Sequence, residues 1–223
     1  MTTLAPLIDH TALKPTVTET DIRLRCEEAL KCGFRTVCVP PTYVEIAVEG
    51  LQGSSVGVCT VVGFPLGYQR LVTKVAEAVE AIEAGASEVD FVINLAQFKS
   101  GNASFLKEEV EKMAQLVHDR RALVKVIIET AYLDREEIRK ICDICAAAEV
   151  DFVKTSTGFA PQGAQVDKVR WMREILPVSV QVKASGGIQT FEQALELIDA
   201  GATRLGTSSG VALMQAASNR LMQ

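Results

Sequence analysis

Histidine is nearly missing from this chain of 223 residues: His10 and His118 are the only two. A histidine-rich metal site is thereby excluded, and the sequence implies no metal. Aromatic residues are also scarce, at 5% with one tryptophan, so a core must be built from Val, Ile, Leu and Ala. The hydrophobic share of 48% is ample for that and far from the composition of disordered chains. No apolar run approaches the length of a membrane span. The start, MTTLAPLIDHT, lacks the basic region and long apolar run of a signal peptide. Positive charge is in deficit: 23 Lys and Arg against 28 Asp and Glu, a net charge of −5. That argues against non-specific nucleic-acid binding, which needs cations to neutralise phosphates. The expectation is a soluble cytoplasmic protein with neither membrane nor nucleic acid as partner.

Six cysteines are present, at 26, 32, 38, 59, 142 and 145. Cys142 and Cys145 form C-x-x-C, but within the helical pattern EEIRKICDICAAAE. A redox or metal role would need a second pair, a nearby histidine or a strand-to-helix junction. None is there, so reduced, packed thiols are expected.

No Pro/Gly/Ser-rich linker divides the chain. Eight short runs rich in Val and Ile recur instead: 6–10, 34–39, 56–62, 88–94, 123–129, 151–155, 179–184 and 203–207. They lack polar alternation, as do parallel strands buried on both faces. Amphipathic helical patterns lie between them, with Thr18 and Thr190 placed as N-caps and Gly33, Gly85 and Gly201 at helix ends. Eight such repeats predict one α/β domain over residues 1–223, a (β/α)8 TIM barrel. The rival is an open doubly wound sheet, but no G-x-G-x-x-G follows the first strand.

In such barrels the working groups gather at the C-terminal ends of the strands. Asp9, Asp90, Lys125, Lys154 and Lys183 are assigned there. A lysine in a core is costly without a partner, so ion pairing or snorkelling is the ordinary explanation. Two lysines in matching contexts, VKTS and VKAS, weaken that explanation, because adjacent strands lie about 4.8 Å apart. Neighbouring positive charge and desolvation lower an amine's pKa. Reaching neutrality from an unperturbed value near 10.4 takes roughly 4–5 kcal/mol, and the free amine can then attack a carbonyl. Asp90 is the carboxylate placed to move protons, or to serve as counter-ion. Asp9 either joins the site or braces the N-terminal segment. The loops SGG (Ser185, Gly186, Gly187) and GTSSG (Gly206 to Gly210, with Ser208 and Ser209) follow the last two strands, where barrels bind phosphate through backbone N–H groups. Thr155, Asp9 and Lys125 complete the substrate-binding set.

The segments IDHTALKP, VVGFPLG, EVDFVIN, VKVIIET, DFVKTSTGF, VKASGGI and AGATRLGTSSG run through nearly the whole chain. Together they resemble the bacterial-type 2-deoxyribose-5-phosphate aldolases. The resemblance implies a cofactor-free class I aldolase acting in deoxyribose phosphate breakdown, with sugar phosphate and aldehydes as its small-molecule partners and a homodimer or homotetramer as its assembly. It implies that Lys154 forms the Schiff base, that Lys183 perturbs it, and that Asp90 donates and accepts protons. The symmetry of the two lysines alone leaves the nucleophile undecided. Alternatives are another phosphate-binding barrel enzyme, including a lysine aldolase of different specificity, or a non-catalytic sugar-phosphate-binding barrel. Pro40, where the family often has asparagine, and APQGAQ at 160–165 depart from the family pattern and are expected to alter loop shape. Cys38 matches a family cysteine and is expected to be a packed thiol.

Overall fold

A computed structural model describes residues 4–221. Eight parallel strands close on one another in chain order, the first pairing with both the second and the last. They are β1 (Ile8–Thr11), β2 (Thr36–Val39), β3 (Gly57–Val62) and β4 (Glu88–Val92), then β5 (Leu123–Ile127), β6 (Phe152–Lys154), β7 (Gln181–Ser185) and β8 (Arg204–Thr207). The helices packed around them are α1 (Glu19–Cys32), α2 (Val44–Gly50), α3 (Leu71–Glu83), α4 (Leu95–Lys99) and α5 (Ala103–Asp119). The ring is completed by α6 (Arg135–Ala147), α7 (Val166–Ile175), α8 (Phe191–Asp199) and α9 (Gly210–Leu221). This is a (β/α)8 TIM barrel. Among the described residues no helix is long and apolar enough to cross a membrane.

Local chemistry explains the boundaries. Thr18 and Thr190 each accept from the N3 backbone N–H in a capping box, closed by Asp21 and Gln193. Such a cap satisfies donors that a helix start otherwise leaves orphaned. After α1 the chain turns through Gly33 at φ +71°, a left-handed conformation that glycine adopts without penalty.

The apolar core lies between barrel and helices, where Val89, Val126, Val153 and Val182 meet Met113, Ile138 and Met172. The C-x-x-C thiols belong to this layer. Cys142 and Cys145 are fully buried on α6, and burial pushes the Cys142 thiol up to about 12. Thiols so hard to ionise are inert packing groups.

The barrel interior is different, because it is filled with charge. Side chains alternate across a strand, so Glu88 and Asp90 share a face of β4 while Lys125, Lys183 and Arg204 come in from β5, β7 and β8. All five are buried. The expectation that the acidic and basic residues sit at strand ends holds for Lys154, the last residue of β6, whereas Asp9, Asp90, Lys125 and Lys183 lie within their strands. The ladders are shorter at their C-terminal ends, or displaced along the chain, relative to the apolar runs: β4 stops at Val92, not Asn94, and β1 runs on to Thr11. Apolar residues continue past the last ladder bond, so hydrophobicity alone misplaces the ends.

Candidate active site

Strand register puts Lys154 directly beside Lys183, and Asp90 beside Lys125. Lys154 and Lys183 each place Nζ 2.7 Å from one atom, Oδ2 of Asp90. Lys125 holds the other oxygen, Oδ1, at 2.8 Å. Lys183 also pairs with Asp9 Oδ2 at 2.5 Å. Arg204 bridges Asp9 Oδ1 (2.7 Å) and Glu88 Oε2 (2.9 Å), and Lys125 reaches Glu88 at 2.6 Å. Four cations thus face three carboxylates in one buried cluster.

Burial disfavours every charge here, but the ion pairs outweigh it. For Lys183, burial lowers the pKa while Asp9 and then Asp90 raise it more, so its charged form is held well above the ordinary lysine range. Lys125 behaves likewise, with Asp90 the chief opponent of burial. For Asp90, burial pushes upward and Lys125, Lys154 and Lys183 overcome it, leaving the carboxyl well below its usual value. Asp9 is depressed in the same way by Lys183, Lys125 and Arg204.

Above the cluster a cleft of about 460 Å³ opens at the C-terminal end of the barrel. Lys154, 3% exposed, is the only lysine of the cluster that reaches its wall. Ser185, Gly186, Gly187, Gly206 and Ser208 line the same cleft. Four of the expected contacts are absent from that wall, three of them buried: Asp9 and Lys125 lie below it inside the barrel, and Thr155 is buried beside β6 and β7. Thr155 Oγ1 accepts from Ser185 N–H at 3.1 Å and so ties β6 to β7. Ser209 also lies off the wall, its N–H donating to Thr207 Oγ1 at 2.9 Å. Lys183 is likewise fully buried beneath the mouth, not in it.

The cleft includes residues that no motif singled out, Asp21 and Arg25 from α1, together with Phe159, the last residue of DFVKTSTGF. Lys14, within IDHTALKP, lines it too. Arg25 had no sequence signal, being one charge among several on an amphipathic helix.

Cys38, Cys59 and Asp90, and likewise Asp9, Cys59 and Glu88, each bring three potential ligand atoms within 4.8 Å of one another. Their carboxylates are already neutralised by Lys125, Lys183 and Arg204, so a divalent cation would have to displace ammonium and guanidinium groups. This donor set suits ion pairing better than metal coordination. Cys38 itself is wholly buried against Cys59 and Val61.

A family model for DeoC/LacD family aldolases matches residues 3–216. The chain belongs to this aldolase family. It is 48% identical over 213 residues to the deoxyribose-phosphate aldolase of Caldanaerobacter subterraneus subsp. tengcongensis, covering 95% of this chain and 92% of that one. It is 48% identical over 218 residues to the deoxyribose-phosphate aldolase of Thermococcus gammatolerans, covering 97% of each. Among solved structures, the tetrameric deoxyribose phosphate aldolase of Aeropyrum pernix superposes with a TM-score of 0.91 at 35% identity, over 97% of this chain and 92% of that one.

Proposed function

We propose that this aldolase cleaves 2-deoxy-D-ribose 5-phosphate reversibly to acetaldehyde and D-glyceraldehyde 3-phosphate, through an imine on Lys154. The observation that carries this reading is the position of Lys154. It is the one cluster cation that touches the cleft, and it has a single carboxylate contact where Lys125, Lys183 and Arg204 each have two. Lys183, kept charged by Asp9 and Asp90, remains as fixed positive charge one strand away.

The neutral amine of Lys154 adds to the aldehyde carbon of the open-chain sugar. The carbinolamine loses water to give an iminium ion, which draws electrons from the bond between the second and third carbons. That bond breaks as the hydroxyl on the third carbon gives up its proton, and glyceraldehyde 3-phosphate leaves. The remaining enamine is protonated on carbon, and hydrolysis of the imine releases acetaldehyde and restores the amine.

Asp90 is too strongly held in its ionised form to be a good base while three lysines surround it. Conversion of Lys154 to the imine removes N–H bonds that can point at Oδ2. Asp90 is then freer to relay protons between Lys183 and the reacting atoms. The cleft rim at Ser185–Gly187 and Gly206–Ser208 receives the phosphate on backbone N–H groups and hydroxyls. Assembly of the chain into a homo-oligomer is part of this reading, supported by the tetrameric relative from Aeropyrum pernix.

The test is borohydride reduction in the presence of acetaldehyde, followed by peptide mass spectrometry. An ethyl group on Lys154, lost in Lys154→Arg, is the expected result. Labelling of Lys183 would exchange the two roles. Binding of deoxyribose 5-phosphate with no stable label on any lysine would favour a binding protein over an aldolase.

A further inference from the structure

The cleft has three side-chain cations on its wall: Lys14, Arg25 and Lys154. Lys154 is engaged with Asp90, so a dianionic substrate group must look to Lys14 or Arg25 for a charged side chain. Lys14 is exposed, and a free lysine tail loses rotamer entropy on binding. Arg25 is half-buried and already held. Its Nη1 donates to Glu28 Oε2 at 2.7 Å and lies 3.1 Å from His10 Nε2, while His10 Nε2 and Glu28 Oε2 are themselves 2.7 Å apart.

Both of these contacts fall on Nη1. Among the described residues Nε and Nη2 of Arg25 make no hydrogen bond, which leaves one edge of the guanidinium fork open. Two parallel N–H groups are the geometry that matches phosphate oxygens. Behind the fork, His10 is fully buried and pressed against Gly210, where a Cβ would come within 2.8 Å of its Nδ1. Gly210 opens α9 and directly follows the loop Gly206–Ser209. One packed unit therefore sets the guanidinium beside the loop that the proposed function gives to the phosphate.

We propose that Arg25, oriented by Glu28 and His10, is the side chain by which this site selects phosphorylated over unphosphorylated sugars. The inference rests on the aldolase reading above. Its test compares kcat/KM for 2-deoxyribose 5-phosphate and for unphosphorylated 2-deoxyribose in the wild type, Arg25→Gln, Arg25→Lys and Lys14→Gln.

Arg25→Gln is expected to lower kcat/KM for the phosphate ester by about 10- to 100-fold, the range for a lost hydrogen bond to a charged group. The unphosphorylated sugar should change by less than about twofold. Arg25→Lys should keep part of the preference, and Lys14→Gln should lose less of it than Arg25→Gln. Equal losses on both substrates would make Arg25 a structural residue and overturn the proposal. So would an unchanged preference, or a selective loss in Lys14→Gln alone. Calorimetric binding of inorganic phosphate separates this from failure of the aldolase reading. If the wild type cleaves neither sugar, that reading fails, while weaker phosphate binding in Arg25→Gln still upholds the role of Arg25 and equal binding refutes it.

Discussion

Lys154 and Lys183 stand side by side on β6 and β7 and share one oxygen of Asp90, each at 2.7 Å. The cleft reaches only the first of them. An imine can form only where a substrate carbon can approach, so the two lysines, equivalent in their sequence contexts, are made unequal by depth. Replacing Lys154 by Arg keeps a positive charge next to Asp90 but removes the attacking amine. The expected outcome is a native circular dichroism spectrum with kcat lowered by about 10³-fold or more, as for loss of a covalent nucleophile. A steady-state assay of sugar phosphate cleavage checks it, and near-normal turnover would exclude Lys154 as nucleophile.

The carboxylates of the cluster set an acid limit on stability. Asp9 and Asp90 have folded pKa values below their ordinary ones, so each contributes stability that is fully present above the unfolded value of about 3.9. That contribution is lost as pH falls through and below this value toward the folded pKa. Urea unfolding between pH 7 and pH 3 should show stability decreasing most steeply below about pH 4. Lys183, with a raised pKa, adds stability that persists through neutral pH and declines only above the usual lysine range. A flat profile between pH 5 and pH 3 would contradict the buried ion-pair network.

Gly163 in the segment APQGAQ rests against the loop after β7. A Cβ there would lie 2.1 Å from Gly186 O, and the next residue, Ala164, donates its N–H to that same oxygen at 3.0 Å. Gly163→Ala must therefore push Gly186, at the cleft rim, out of place. Displacement of a substrate-positioning group by about 1 Å can cost on the order of 10²-fold. The expected effect is a rise of about tenfold in KM for the phosphorylated sugar, read from initial rates, with a smaller change for the unphosphorylated one. The departure of this segment from the family pattern thus lies against the Gly186 loop, which the proposed function gives to the phosphate.

A second buried ion pair sits outside the barrel. Lys74 and Glu109 are fully buried at 2.8 Å, with Lys74 also donating to Val92 O and Glu109 accepting from Asn94 N–H. Burial is the main influence on both, lowering the pKa of Lys74 and raising that of Glu109. Lys74→Met should destabilise the protein by about 3–5 kcal/mol, because it strands a buried carboxylate. Lys74→Met combined with Glu109→Leu should recover part of that loss, although the backbone groups of Val92 and Asn94 still lose partners. Denaturant titration of the two variants decides; a single variant no less stable than the wild type would show the pair to be dispensable.

Much of this protein is settled by local sequence. Short Val- and Ile-rich runs separated by capped amphipathic helices can bury their apolar faces together only as a parallel sheet covered by helices, and eight repeats suffice to close it. Thr18, Thr190 and Gly33 mark their boundaries by chemistry that acts over a few residues. The adjacency of Lys154 and Lys183 follows from the same period, since consecutive strands of such a sheet are neighbours. Other features depend on closure. Asp9 meets Arg204 across 195 positions of sequence, and His10, which Arg25 contacts, packs against Gly210 at the start of α9, only because β1 pairs with β8 at the seam. No local pattern records that distance. Depth inside the barrel, which separates Lys154 from Lys183 and takes Asp9 and Lys125 away from the cleft, is set by strand register and stagger. Those are properties of all eight strands together, and tertiary structure alone decides them.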